Sequence, residues 1–97
     1  MKLNIESVHF DASEQLKNFI EHKVTKLDLF HNGIISADVI LRLDKSSDTE
    51  NKVAETSLKT PNCSDLFAKK QCKTFEESVD LACEALRKQL IKAKDQQ

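Results

Sequence analysis

Residues 74–94 read TFEESVDLACEALRKQLIKAK, and this stretch dictates how the rest of the chain has to be organised. Thr74-Phe75-Glu76-Glu77 has the form of a capping box: Thr74 can accept from the third helical N–H while Glu77 reaches back to the Thr74 amide, so a helix begins here. Phe75, Val79, Ala82, Leu86 and Leu90 follow at helical spacing and form one apolar stripe over about 20 residues, or about 30 Å of helix. A helix with a single apolar stripe needs a second layer to cover it, and the upstream sequence has to supply that layer.

Working back from Thr74, Asp65 to Cys72 reads as a fourth strand, and Pro61-Asn62 as the turn before it, because proline fixes φ and donates no ladder hydrogen bond. Lys52 to Thr60 reads as a third strand, with Ala54, Thr56 and Leu58 toward a core and Glu55, Ser57 and Lys59 toward water. Lys45 to Asn51 is polar and aperiodic, which suits a hairpin connection to Ile35–Asp44, where Ala37, Val39, Leu41 and Leu43 alternate with Asp38, Arg42 and Asp44, Ile40 interrupting the polar face. Further back the period changes again. Leu16, Ile20, Val24 and Leu27 recur every three or four residues, with Phe19 and Phe30 widening the stripe, Asp11 or Ser13 as cap and Asn32-Gly33 as the stop. Lys2 to Phe10 alternates as a half-buried first strand. The order is β-α-β-β-β-α, an α+β fold with two helices packed on one face of a four-stranded sheet, in a single domain spanning residues 1–97.

The composition sets limits on function. With 39% hydrophobic and 32% charged residues, one Gly and one Pro, the chain is globular and has few linkers. No apolar run approaches the length of a membrane span and the first residues carry Asn4, Glu6, Asp11 and Glu14, so a cytoplasmic protein without a membrane partner is expected. Cys63, Cys72 and Cys83, nine and eleven residues apart, fit neither a disulfide scaffold nor a CxxC metal pair. Cys72 and Cys83 flank a helix start with Lys69, Lys70 and Lys73 nearby, which would favour a thiolate; burial as inert thiols competes with that reading. His9, His22 and His31 lie in unlike contexts, none with a ligand at metal spacing. There is no phosphate loop and no nucleophile elbow, and the reading is of a non-enzymatic chain with no cofactor, metal or small-molecule substrate.

Charge is sorted along the chain. The formal net charge is −1, yet residues 1–65 hold eight basic and eleven acidic side chains, and residues 66–97 seven and five. Lys23 and Lys26 share one flank of the first helix, Lys88 and Lys92 point away from the stripe of the second, Arg87 and Lys94 flank that stripe, and Lys69, Lys70 and Lys73 lie where the fourth strand feeds the helix. These nine cations are the candidate RNA-binding residues. A solvated helix face is the alternative, since Glu84 can pair with Lys88 and a helix C-terminus favours lysine. With no Trp or Tyr to stack on bases, structured RNA suits the lysines better than single strands.

Several stretches together resemble a known family: Met1-Lys2-Leu3-Asn4-Ile5, Lys23-Val24-Thr25-Lys26-Leu27 and Lys88-Gln89-Leu90-Ile91-Lys92-Ala93-Lys94, in this order and in this element sequence. The chain resembles the short ribosome hibernation-promoting and ribosome-associated inhibitor proteins of bacteria, the sigma-54 modulation protein family. That resemblance implies a factor that settles in the decoding channel of the small ribosomal subunit, contacts its rRNA and blocks mRNA and tRNA sites, as part of translation regulation under stress or in stationary phase. It carries RNA-backbone contacts onto Lys23, Lys26, Lys88 and Lys92, and with them Arg87 and Lys94; Lys69, Lys70 and Lys73 come from local charge alone. It also implies a chain without the additional C-terminal domain of long family members, monomeric when free. A protein-binding adaptor with no RNA role, and a thiol-dependent enzyme or sensor using Cys72 or Cys83, are the competing readings.

Overall fold

The computed structural model describes residues 1–31, 33–46, 48–61 and 65–95, with backbone alone for 94 and 95. Strand β1 (Lys2–Ser7) leads into helix α1 (Glu14–Thr25), which a 3-10 turn (Lys26–Leu29) extends; β2 (Ser36–Leu43), β3 (Lys52–Lys59) and β4 (Leu66–Cys72) precede helix α2 (Phe75–Asp95). The element order is the one read from the periodicities. The sheet order is β1-β2-β3-β4, with β1 parallel to β2 and the other two pairs antiparallel. A parallel β1–β2 pair needs a crossover between its strands, and α1 is that crossover.

Register fixes what the two faces carry. Ile5, Val39, Thr56 and Ala68 lie across from one another, as do Leu3, Ala37, Leu58 and Leu66. This is the face both helices cover, with Leu16, Ile20 and Val24 of α1 and Val79, Ala82, Leu86 and Leu90 of α2 in the same core cluster. The third strand, poor in apolar residues, is buried as its alternation indicates, with Ala54, Thr56 and Leu58 inward. Two positions depart from the alternation. Val53 is fully buried on the helix-free face, where the long side chains of its cross-strand neighbours Arg42 and Gln71 flank it. Leu43 is exposed, at the hairpin end of β2 and opposite Lys52.

The element ends have local causes. Of the two candidate caps, Ser13 starts α1, its Oγ accepting from the Leu16 amide at 3.1 Å. The Thr25 hydroxyl donates back to the Glu21 carbonyl at 2.7 Å, a bond that competes with the backbone ladder, and α1 tightens there into the 3-10 turn instead of running on to Asn32-Gly33. Asn32-Gly33 is therefore not the helix stop expected; Gly33 takes φ 86° beside Pro61 in the connection to β2, a conformation glycine adopts without strain, and Asn32, Asn62 and Cys63 lie outside the described residues. Strand β1 ends at Ser7, short of Phe10, because His9 adopts φ 66° and turns the chain. Phe10 then stacks on Phe75, ring centroids 5.0 Å apart and 11° from parallel.

Helix α2 is fastened to the sheet near both ends. Thr74 Oγ1 accepts from the Glu77 amide at 3.1 Å, one half of the capping box. One turn on, the buried Ser78 hydroxyl lies 2.6 Å from the Lys52 carbonyl of β3, and the Gln89 amide donates to the Phe67 carbonyl of β4 at 3.0 Å. Cys72 and Cys83 are buried free thiols. Burial, with the Asp80 carboxylate adding to it, pushes the Cys83 thiol up to about 11, so near neutral pH it is protonated and a poor nucleophile.

Two measurements check this. Ser78→Ala removes a buried hydroxyl and its bond to the sheet, so urea unfolding should show a loss of about 1–3 kcal/mol; an unchanged midpoint would refute the anchoring role. Alkylation at pH 8, followed at Cys83 by peptide mass spectrometry, should run at least about a hundredfold slower in the folded chain than for a free cysteine, because the thiolate fraction is far smaller. Comparable rates would contradict the burial described.

Candidate nucleic-acid interface

The fold distributes the candidate cations over four places. On the inner side of α1, Lys23 Nζ lies 3.0 Å from Asp80 Oδ1 of α2 and 5.7 Å from the Phe19 ring centroid. On α2, Arg87 is paired with Glu84 one turn back, and its guanidinium carbon lies 5.7 Å from the Phe30 ring centroid, a cation–π distance. Both cations border a shallow interhelical groove, lined by Lys23, Lys26, Leu27 and Phe30 on one side and by Asp80, Cys83, Glu84 and Arg87 on the other. Lys26, in the 3-10 turn, is exposed there and has no ion-pair partner among the described residues.

The second place is the outward ridge of α2. Lys88 and Lys92 are one turn apart on the side away from Leu86 and Leu90, both exposed and without an ion-pair partner among the described residues. The nearby charge of Lys88 helps hold the Glu84 carboxyl below its ordinary value, after the hydrogen bond from Arg87, which is the main cause. Arg87 is correspondingly raised by Glu84. Lys94 belongs to α2, but its side chain lies outside the described residues.

The group Lys69, Lys70 and Lys73 does not stay together. Consecutive strand residues point to opposite faces. Lys70 lies opposite Ala54 on the helix-bearing face, at the sheet edge, while Lys69 lies opposite Glu55 on the helix-free face. There Lys69 Nζ is 3.9 Å from Glu55 Oε1, an oxygen that Arg42 also holds at 2.9 Å. Lys73 is exposed in the turn entering α2. The third place is thus Lys70 with Lys73 at the start of α2, and the fourth is Lys69 alone on the far face.

What sequence reasoning missed is Asp80. Its spacing from Glu84 and Arg87 puts all three on one flank of α2, so a helical wheel contains the signal, but its pairing with Lys23 exists only once the two helices pack. The arrangement leaves Lys26, Lys88 and Lys92, with Lys70 and Lys73, as cations whose charge no carboxylate of the described residues offsets by direct contact. Such side chains can meet phosphates without first breaking an ion pair. Among the described residues no group of His, Cys, Asp and Glu is placed to hold a metal, and no helix is long and apolar enough to cross a membrane.

Comparison with known proteins agrees with this architecture. The Azotobacter vinelandii protein called ribosome hibernation promoting factor is 27% identical over 97 residues, covering 100% of this chain and 86% of that protein. Two solved structures share the fold. A ribosomal subunit interface protein from Coxiella burnetii superposes with a TM-score of 0.86 at 23% identity, covering 98% of this chain and 99% of its own. The N-terminal domain of Thermus thermophilus Protein Y gives 0.81 at 18% identity, covering 95% and 98%. Residues 3–97 match the family described as Sigma 54 modulation protein / S30EA ribosomal protein, and with nearly its whole length inside that match the chain belongs to this family.

Proposed function

We propose that this chain is a ribosome hibernation factor that binds the small subunit through its rRNA, settles in the decoding channel and inhibits translation by occupying mRNA and tRNA positions. The observation that supports it most directly is the set of cations without an ion-pair partner among the described residues, in the 3-10 turn after α1, on α2 and at the start of α2, in a chain whose family is ribosome-associated. One folded copy acts per subunit, stoichiometrically, in the cytoplasm, and no bond is made or broken. The proposed footprint is Lys26, Lys88 and Lys92, extended by Lys70 and Lys73 at the start of α2 and by Lys94 near its end.

Lys23 and Arg87 have a different part in this reading. Each is held by a carboxylate in the free protein, Lys23 by Asp80 and Arg87 by Glu84, so each contributes to RNA binding only by exchanging that partner for a phosphate. The exchange gains less than placing a free ammonium on a phosphate. It also disfavours loose attachment to any polyanion, because the carboxylates remain as repulsive neighbours when the fit is poor. Lys69, on the far face with Glu55, stays outside the footprint.

Co-sedimentation with purified small subunits across a salt series tests this. About five neutralised phosphates give a log-log slope of about −4 to −5 by analogy with duplex nucleic acid. Lys88→Glu combined with Lys92→Glu should weaken binding by at least about tenfold and flatten the slope by about two, while Lys69→Glu changes neither. Absence of co-sedimentation even at low salt would remove the proposal, and equal effects of the α2 double variant and the Lys69 variant would remove the footprint.

A further inference from the structure

The outer edge of β1 is an open hydrogen-bonding edge. The Lys2 and Val8 amides donate to the Ile35 and Leu41 carbonyls, 3.0 and 2.9 Å away, so the even residues of this strand bond to β2. Alternation then turns the N–H and C=O groups of Leu3, Ile5 and Ser7 outward, where they have no partner among the described residues. Beside them, half-buried Leu3 and Ile5 form the floor of a cleft of about 470 Å³ that runs under α1 along Lys17, Asn18 and Glu21. The opposite edge of the sheet is guarded. On β4 the Gln89 side-chain amide occupies the Phe67 carbonyl, and a self-pairing centred on mid-strand Lys69 or Lys70 would set that lysine against its own copy.

We infer that two copies of this chain associate in solution through β1, antiparallel and centred on Asn4, to form one continuous eight-stranded sheet. The strand's own charges select the register. Outward odd residues allow pairings centred on Leu3, Asn4 or Ile5, and only the Asn4-centred one sets Lys2 opposite Glu6 of the second copy, twice by symmetry. In that register Leu3 and Ile5 exchange backbone hydrogen bonds with Ile5 and Leu3 of the other copy, and these side chains cover one another on the helix-bearing face. The two Asn4 residues face each other as a non-hydrogen-bonded pair on the other face. Each already donates to Asp38 Oδ1 at 3.0 Å, which leaves its amide oxygen and second N–H for its counterpart. The lysines of α2 are not part of this edge, since α2 lies over β3 and β4. Pairing through β1 therefore leaves them uncovered, and the dimer replaces, in the concentrated free chain, the monomer expected from the family resemblance; it does not depend on the ribosomal reading.

Sedimentation velocity up to millimolar concentration should show a monomer–dimer equilibrium. Lys2→Glu and Glu6→Lys should each weaken it about tenfold, and the Lys2→Glu, Glu6→Lys double variant should recover it, because the reversed pair is again complementary. In a Cys63→Ser background, Asn4→Cys should form a disulfide-linked dimer under mild oxidation, since a non-hydrogen-bonded cross-strand pair has suitable geometry. Glu6→Cys, four residues out of register with its own copy, should not. A chain that stays monomeric at millimolar concentration, a double variant no better than the single ones, or equal cross-linking at positions 4 and 6 would each overturn the inference. So would protection of the β1 edge amides from exchange only when ribosomal subunits are added, which would assign the edge to a ribosomal partner.

Discussion

The seating of α2 on β3 and β4 is the constraint on which everything else depends. Val79, Ala82, Leu86 and Leu90 are all fully buried, so the helix has one rotational setting that covers the sheet, and any other would bring Lys88 or Glu84 inward. The Ser78 bond to the Lys52 carbonyl and the Gln89 bond to the Phe67 carbonyl hold that setting near both ends. Rotation decides which charges are presented. With the stripe down, Lys88 and Lys92 project away from the sheet, Arg87 and Asp80 face α1, and Ser78 and Gln89 face the strands.

The charges on the helical layer are a mixture that helix packing has resolved into two kinds. Lys23 and Arg87 are held against carboxylates and aromatic rings, so they help fasten α1 to α2 and fix side-chain positions, although exposed pairs of this sort stabilise a fold only slightly. Lys26, Lys88 and Lys92 are without such partners among the described residues. A net charge of −1 for the chain is therefore compatible with local cationic surface, the acidic excess lying mainly in residues 1–65. Acidic side chains inside the interhelical groove, Asp80 and Glu84, lower the positive potential around Lys23 and Arg87, so the cationic character of this surface is set by side-chain placement more than by total charge.

The fold was legible in the sequence because its periods change at the element boundaries: two for Ile35–Asp44 and Lys52–Thr60, three to four for the stretches from Leu16 and from Phe75. Boundaries set by backbone conformation were less legible. His9 ends β1 early, and Thr25 converts the end of α1 into a 3-10 turn, neither of which an apolar pattern records. Ser78 and Gln89 look like ordinary polar residues at the margin of a helix, and their bonds to sheet carbonyls appear only in the packed molecule. For the candidate site, the two helical lysine pairs could be placed on a wheel. Lys69, Lys70 and Lys73 are close in sequence but do not form one group in space, because the pleat of the strand sends Lys69 and Lys70 to opposite faces. The role of Asp80 is not visible in the sequence because its partner, Lys23, is distant along the chain.

The stack of Phe10 on Phe75 bears on when the chain can fold. It joins the turn after the first strand to the first residue of the last helix, and β1 itself pairs with β2 only after the whole crossover has been made. Contacts that span so much of the chain require a long loop to close before they reward it, and chains dominated by them fold more slowly than chains of local contacts. A nascent chain lacking α2 has its apolar sheet face half uncovered, so the native core becomes available only when α2 has left the synthesising machinery.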